Sequence, residues 1–357
     1  MTNETWLAAT GVERFDRDIR TMTPEQLIEA FGSSRGILVT TRLIRALALQ
    51  CYEAIRRGDE EPIQGNVRSF WYRYVKPVLA RVPANQRRRE RADLAVSKTL
   101  TSLIRYRGLM SYAGFGFTDE NWRNRVIGVE RPQVLVFTEK TAHLRLLLRL
   151  NKRFGVSVLT LGGFPSACTS EFTATQLNEA LARSASGSDT PVHLIAIVDH
   201  DPAGALVART FVEQLARFGC KPASMRTVVT PDLLDAEALE HHRIAQKNDA
   251  RTATWLAETG GIDGKADGFS VSAVPVSTLE KAASAVILEL APEPLAAVLP
   301  EGVTGDVRWQ RTVQEAGGDA NVVVIHPRQL DAHVLNAVDN GKHVVVVQDG
   351  KVRAVLS

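Results

Sequence analysis

The sequence predicts an α/β protein in two parts, a basic helical module followed by a parallel, doubly wound sheet. Two observations predict it. Up to about residue 128 the chain reads as helices set off by caps, glycines and a proline. From Gly128 onward, apolar runs of strand length alternate with helical patterns. Charge divides at the same place. Residues 1–128 hold 21 Lys and Arg against 14 Asp and Glu, a balance of +7, and the remainder holds 22 against 26, or −4. Within residues 62–128 the balance reaches +9, from 13 cations and 4 anions, which points that region toward a polyanion.

The bulk composition sets the outer limits. At 357 residues the chain is long enough for two domains, and 45% hydrophobic with 23% charged residues suits a water-soluble globular protein. Met1 to Arg20 carries polar and charged residues throughout, with no apolar signal-peptide core, and no window approaches a membrane span. The expected location is cytoplasmic, beside the nucleoid, with no membrane partner. Cys51, Cys168 and Cys220 form no C-x-x-C pair and read as small buried residues.

Residues 1–30 read as an N-terminal helical extension. Within TPEQLIEAFG, Thr23 suits an N-cap and Pro24 the first helical position. Residues 31–128 form the second expected domain. A helix is predicted over 40–56, closed by Gly58, from the three- and four-residue spacing of Leu43, Ile44, Leu47 and Cys51. NVRSFWYRYVKPVLARV follows, with Asn66 as a cap and Pro77 expected to kink or end the helix. Next is a strongly basic helix, NQRRRERADLAVSKTLTSLIRYRG, closed by Gly108, and then LMSYAGFGF, which alternates and reads as a short hairpin. Three helices and a hairpin are the order of a winged-helix module, a DNA-binding variant of helix-turn-helix.

Residues 129–357 are expected to form the parallel α/β domain with a C-terminal elaboration. Strands are predicted at QVLVFTE, VSVLTLGG, HLIAIVDHD and MRTVVT, with helices between them. Residues 232–270 look helical and loop-like, with a glycine-rich stretch GGIDGKADG. The chain closes with a strand NVVVIHP, a helix RQLDAHVLNAV and a hairpin turning at Asp349 and Gly350.

Carboxylates stand at the strand ends. The first strand of this half runs into Glu139, and the third runs into Asp199 and Asp201. In a parallel sheet these ends share one edge, where ligands bind. Like charges placed together next to a buried strand need a positive partner. Hard carboxylate oxygens suit Mg²⁺, which also takes phosphate oxygens. Asp201, directly before Pro202, equally suits a helix cap.

The runs VLVFTEKTAHLRLL, VLTLGGFPSACTSEFTATQL and LIAIVDHDPAGALVARTF resemble the TOPRIM domain of topoisomerase VI A subunits and the related meiotic double-strand-break transesterases. Glu139 and Lys140 match the family's strand-end Glu-Lys. Gly163, Pro165 and Thr169 match its Gly-x-Pro loop and following Thr. Asp199, Asp201, Pro202 and Gly204 match its Asp-x-Asp-Pro-x-Gly. Ser166 and Ser170 depart from it, standing where the family usually has an acid and an Arg. The resemblance covers roughly residues 35–230. It implies a TOPRIM-like domain holding Mg²⁺ at Glu139, Asp199 and Asp201.

The resemblance also implies a nucleophile. The family places its catalytic tyrosine in a winged helix, after an Arg, two residues and an aromatic. Here Arg68, Ser69, Phe70, Trp71 and Tyr72 fit. Tyr72 would be the nucleophile, with Arg68 neutralising the scissile phosphate. Tyr74, between two cations, competes for the role. A phenol is a weak nucleophile at neutral pH and needs cations beside it, for which Arg68 and Arg73 are candidates. Arg73, Arg87, Arg88, Arg89 and Lys140 are expected DNA contacts.

The resulting expectation is a transesterase that cuts double-stranded DNA as a homodimer, forming a 5′-phosphotyrosyl link with Mg²⁺. The sequence lacks a G-x-x-x-x-G-K-[ST] phosphate loop, so strand passage would require a separate ATPase subunit of the GHKL type. Two other readings share the sequence: a TOPRIM nuclease hydrolysing DNA with water, of the kind that works with SMC-type complexes, and a non-catalytic DNA-binding subunit.

Overall fold

The computed structural model describes residues 3–10, 18–32, 39–83, 92–184, 190–290, 307–315, 322–325, 343–348 and 351–356. The chain divides into two compact units. The first comprises Met1–Trp122 with Ser166–Thr175, and the second Arg123–Pro165 with Gln176–Ser357.

The first unit is helical. Helix α1 spans Asn3–Thr10, α2 Pro24–Phe31 and α3 Thr40–Arg57. Thr23 caps α2 in a capping box with Gln26, which satisfies two N–H groups that the helix start leaves without partners. Helix α3 buries Leu43, Ile44, Leu47 and Cys51, the stripe its spacing predicts, and ends at a left-handed Gly58. Asn66 caps α4 (Val67–Phe70) by accepting from the Arg68 N–H at 3.0 Å.

Pro77 neither ends nor breaks the helix that follows. Residues Trp71–Val75 widen into a π turn in which the Lys76 N–H donates to the Trp71 carbonyl, and α5 (Lys76–Ala80) continues from it. Proline lacks an N–H, and in α register its ring would meet the Arg73 carbonyl, so the turn opens one residue earlier. Helix α6 (Ala92–Thr101) runs into a second π turn, Ser102–Tyr106. Arg87, Arg88 and Arg89 lie outside the described residues.

The hairpin expected at LMSYAGFGF is not formed. Ala113–Phe115 is a 3₁₀ turn, and Phe117 makes only an isolated bridge to Gly65. The apolar alternation there serves an aromatic cluster. The Phe115 ring lies 5.0 Å from Tyr52, 5.9 Å from Phe70 and 5.1 Å from Phe117. Glu171, at the start of α8 (Ala167–Arg183), anchors this loop by accepting the N–H groups of Tyr112 and Ala113, each at 3.0 Å. The described residues therefore show the helices of the predicted module without its strand wing.

The second unit is built on a five-stranded sheet. Strands β1 (Arg125–Val126), β2 (Arg131–Thr138), β3 (Val156–Thr160), β4 (Val192–Ile197) and β5 (Pro222–Thr227) lie in the order β1-β3-β2-β4-β5. All neighbours pair parallel except β1 with β3. Helix α7 (Leu144–Phe154) links β2 to β3, α8 links β3 to β4, and α9 (Pro202–Arg217) links β4 to β5.

Alternation along β2 feeds two apolar faces, as a covered parallel sheet requires. Val134 and Val136 join a core with Leu147 and Leu150 of α7 and with Leu279 and Ile287 of α12 (Val276–Leu290). Phe137 meets Phe211 of α9 edge-on at 4.9 Å. Between α9 and α12 the chain forms α10 (Ala236–His242), β6 (Ile244–Ala245), α11 (Ala250–Thr259) and β7 (Asp267–Gly268), with β6 and β7 antiparallel.

The described C-terminal elements are α13 (Val307–Glu315) and a sheet of β8 (Val322–Ile325), β9 (His343–Gln348) and β10 (Lys351–Leu356). Strand β8 pairs parallel with β9, and β9 antiparallel with β10. The expected helix RQLDAHVLNAV and the Asp349–Gly350 turn lie outside the described residues. Among the described residues no helix is long and apolar enough to cross a membrane. The three cysteines are free, with Cys51 and Cys220 buried and Cys168 partly exposed.

Candidate functional site

Strand order fixes where a ligand site belongs. From β2 the chain turns outward to β3 on one side, and from β4 it turns to β5 on the other. The sheet therefore reverses its winding between β2 and β4, and the crevice beyond their carboxyl ends is the topological switch point. Thr138 pairs with Ile197 across this boundary, so the two strands end level. Glu139 follows Thr138 directly, and Asp199 and Asp201 follow Ile197 by two and four residues. The sheet thus brings all three sequence-predicted acids to the crevice mouth.

The carboxylates feel one another. Burial pushes the Glu139 carboxyl above its ordinary value, and the Asp199 charge adds to the rise. Lys140 opposes the rise, and Asp201 reinforces it. Asp199 is the most heavily engaged of the three. Its Oδ1 accepts from Lys140 Nζ at 2.8 Å, from the Val271 N–H at 2.8 Å and from Ser270 Oγ at 3.3 Å. Lys140 Nζ also donates to Ser270 Oγ at 2.8 Å. The positive partner that the clustered acids require is therefore supplied in part by the chain itself. Lys140, expected on DNA, is ion-paired within the crevice.

Asp201 caps α9. Its Oδ1 accepts the Gly204 N–H at 2.6 Å from an extended backbone. The glycine of D-P-A-G has a steric cause, because a Cβ on Gly204 would stand 2.2 Å from the Asp199 carbonyl oxygen. Gly268 is constrained in the same way, since its Cβ would lie 2.3 Å from the His200 carbonyl oxygen and 3.0 Å from Asp201 Cβ. Here the segment Gly268–Ser272 presses against the Asp199–Asp201 turn. His200 and Phe269 exchange backbone hydrogen bonds of 3.0 and 3.1 Å. The His200 ring packs 5.2 Å from Trp255 and 5.4 Å from Phe269, and burial holds its pKa below the usual histidine value. His143, just before α7, is also buried, with Nδ1 unpartnered among the described residues. Burial first, then Lys140, lowers its pKa. Both imidazoles are thereby biased to the neutral form.

Lys140, Ser270, Val271 and Gly268 act at this crevice in ways that the sequence reading missed. Of Ser270, Val271 and Gly268, only Gly268 carried a signal, since glycines clustered in GGIDGKADG mark a close backbone approach. Ser166 and Ser170, the two departures from the family pattern, bond within the start of α8. Ser166 Oγ accepts the Thr169 N–H at 3.0 Å, and Ser170 Oγ donates to the Ser166 carbonyl at 3.0 Å.

The donor set suits a hard divalent cation. The Glu139 carboxylate and the Oδ2 atoms of Asp199 and Asp201 make no hydrogen bond with a described residue. Among the described residues, however, no three His, Cys, Asp or Glu side chains are grouped closely enough to hold an ion. Loading would require the carboxylates to draw together and Lys140 to yield Asp199.

The tyrosines separate clearly in the first unit. Tyr72 is 57% exposed on the π turn, and Lys76 Nζ lies 5.1 Å from the centre of its ring. It borders a groove of about 420 Å³ with Gln64, Ser69 and Arg73. Its hydroxyl has no partner among the described residues, and neither does the exposed Arg68 guanidinium. Arg73 lies 3.7 Å from Glu60. Tyr74 stacks on Phe70 at 5.4 Å and donates to Glu60 at 3.3 Å. Burial, with Cys51 and Glu60 alongside, raises its phenol pKa, which disfavours the phenolate that a nucleophile needs.

Comparisons with protein-family models, curated proteins and solved structures return no match to this chain.

Proposed function

We propose that the chain is a DNA-cleaving transesterase of the topoisomerase VI A type, acting on double-stranded DNA as a homodimer. The observation that carries this reading is the arrival of Glu139, Asp199 and Asp201 at the switch point of the sheet. The helices of the basic first unit are the part of the winged-helix reading we retain, as the DNA-binding module.

In this reading Tyr72 Oη attacks a backbone phosphorus. The phenol proton passes to water, the new O–P bond forms, and the 3′ oxygen leaves and takes up a proton. Its exposure suits Tyr72 to reach an incoming strand, whereas Tyr74 is held as a neutral phenol. Arg68 has no protein partner to release before it meets the phosphate. Mg²⁺ held by Glu139, Asp199 and Asp201 would supply positive charge to phosphate oxygens. Strand passage would require a separate GHKL-type ATPase subunit.

The Ser166 and Ser170 departures from the family pattern support a second reading, in which water replaces the phenol and the protein is a TOPRIM nuclease, with an SMC-type complex as its partner. Covalent trapping decides between the two. The protein is incubated with supercoiled plasmid and Mg²⁺ and stopped with detergent, with Tyr72→Phe in parallel. Adducts on DNA 5′ ends that vanish in the variant support the transesterase. Breaks with free ends, unchanged in Tyr72→Phe, support the nuclease. Metal-independent binding without breaks would leave a DNA-binding subunit.

A further inference from the structure

A second cleft, with Leu94 and Ala95 on its wall beside polar side chains, lies wholly within the first unit, between α3 and α6. It has a volume of about 530 Å³, within the range of ligand pockets. Thr41 and Arg45 face it from α3, one helical turn apart. Lys98 and Thr99 face it from α6, and Ser102 from the first residue of the π turn that follows, one turn beyond Lys98.

Arg45 is the unusual member. Its Nε is buried with no hydrogen-bond partner among the described residues. No described carboxylate pairs with Arg42, Arg45 or Lys98. Burial lowers the Arg45 pKa, and Arg107 and Arg42 lower it further. A guanidinium stays charged in any protein environment, so the cleft holds a partly desolvated cation whose neighbours repel it. An unmade hydrogen bond at a buried charged donor is costly, and the guanidinium that bears it belongs to a residue lining the cleft, where an oxyanion would offset its uncompensated charge.

We propose that this cleft is a phosphate-binding site in which Arg45 and Lys98 supply the charge and the hydroxyls of Thr41, Thr99 and Ser102 complete the shell around the oxygens. Donors converging from two helices suit a tetrahedral oxyanion, and Arg offers it a two-pronged contact. The phosphate belongs either to a nucleic-acid backbone or to free inorganic phosphate. The site is independent of the cleavage chemistry, so failure of the transesterase reading would leave it intact.

The test uses the full chain. Inorganic phosphate is titrated by calorimetry against chloride of matched ionic strength, and binding of a labelled duplex is followed by anisotropy. Wild type should bind phosphate saturably, and Arg45→Gln should weaken it about tenfold, the value of one charge-assisted hydrogen bond. Lys98→Gln should weaken it severalfold. A parallel fall in duplex affinity in both variants identifies backbone phosphate as the ligand, and unchanged duplex affinity identifies free phosphate. If wild type responds to phosphate no more than to chloride, the site does not exist. The proposal also falls if both variants melt like wild type and bind phosphate equally well. Should Arg45→Gln fail to fold, the exposed Lys98→Gln carries the same decision alone.

Discussion

The turn carrying Asp199, His200 and Asp201 is bonded on several sides, while the segment carrying Tyr72 presents its phenol to solvent with no hydrogen bond to any described residue. Both were candidate sites from the sequence, yet their surroundings differ in kind. At the crevice, Lys140, the segment after β7 and a helix cap each hold one carboxylate oxygen of Asp199 or Asp201. At Tyr72 the π turn fixes the backbone alone. Hydrogen bonds position charge in the second unit, whereas the Tyr72 ring has a cation over its face and its hydroxyl is left for what binds it.

The largest expected effect breaks the comparison at its loose end. Tyr72→Phe should reduce covalent trapping by about 10³-fold or more while leaving the melting temperature unchanged, because the hydroxyl touches no described residue. At the tight end, Asp201→Asn removes a charge but keeps an amide oxygen able to cap α9. Metal-dependent cleavage should fall by about 100-fold with little change in stability, whereas Asp201→Ala should additionally cost about 1 kcal/mol in urea unfolding.

Gly204→Ala forces a Cβ to within 2.2 Å of the Asp199 carbonyl oxygen and should destabilise the second unit by about 1–3 kcal/mol, read by the same unfolding assay. The smallest effect concerns Glu139. Its carboxyl is raised above the ordinary 4.5, so the stability it contributes is present below that value and is lost as pH rises through the raised folded pKa. Glu139→Gln should therefore lose less stability than wild type between pH 4 and pH 8. Parallel unfolding curves across that window would show that the crevice does not strain this group.

The four parallel strands, and the placement of Glu139, Asp199 and Asp201 just beyond the ends of β2 and β4, were legible because buried parallel strands are short apolar runs bounded by polar residues. The pairing of Lys140 with Asp199 was not legible, nor was the contact of Ser270 and Val271 with the same carboxylate, since 59 to 72 residues separate the partners. The false hairpin has a local cause. Tyr112, Phe115 and Phe117 alternate with small residues because they wrap an aromatic cluster, a pattern that periodicity alone does not distinguish from a strand. Arg87, Arg88 and Arg89 fall outside the described residues, so the strongest basic run has no structural account. Glu171 carried no signal, because an acid inside a helical pattern reads as surface, yet it is only 7% exposed and holds two backbone N–H groups.

The π turn at Trp71–Val75 also acts as a phase setting. One residue is added to a single turn, so everything after it is rotated by about 100° relative to an unbroken helix. Phe70, ahead of the offset, and Val75, at its end, both point inward, and Tyr72 is left outward between them. Pro77 keeps that offset from relaxing. In mechanical terms it behaves as a detent, holding the angular position of one phenol through the absence of one backbone hydrogen four residues downstream of Arg73.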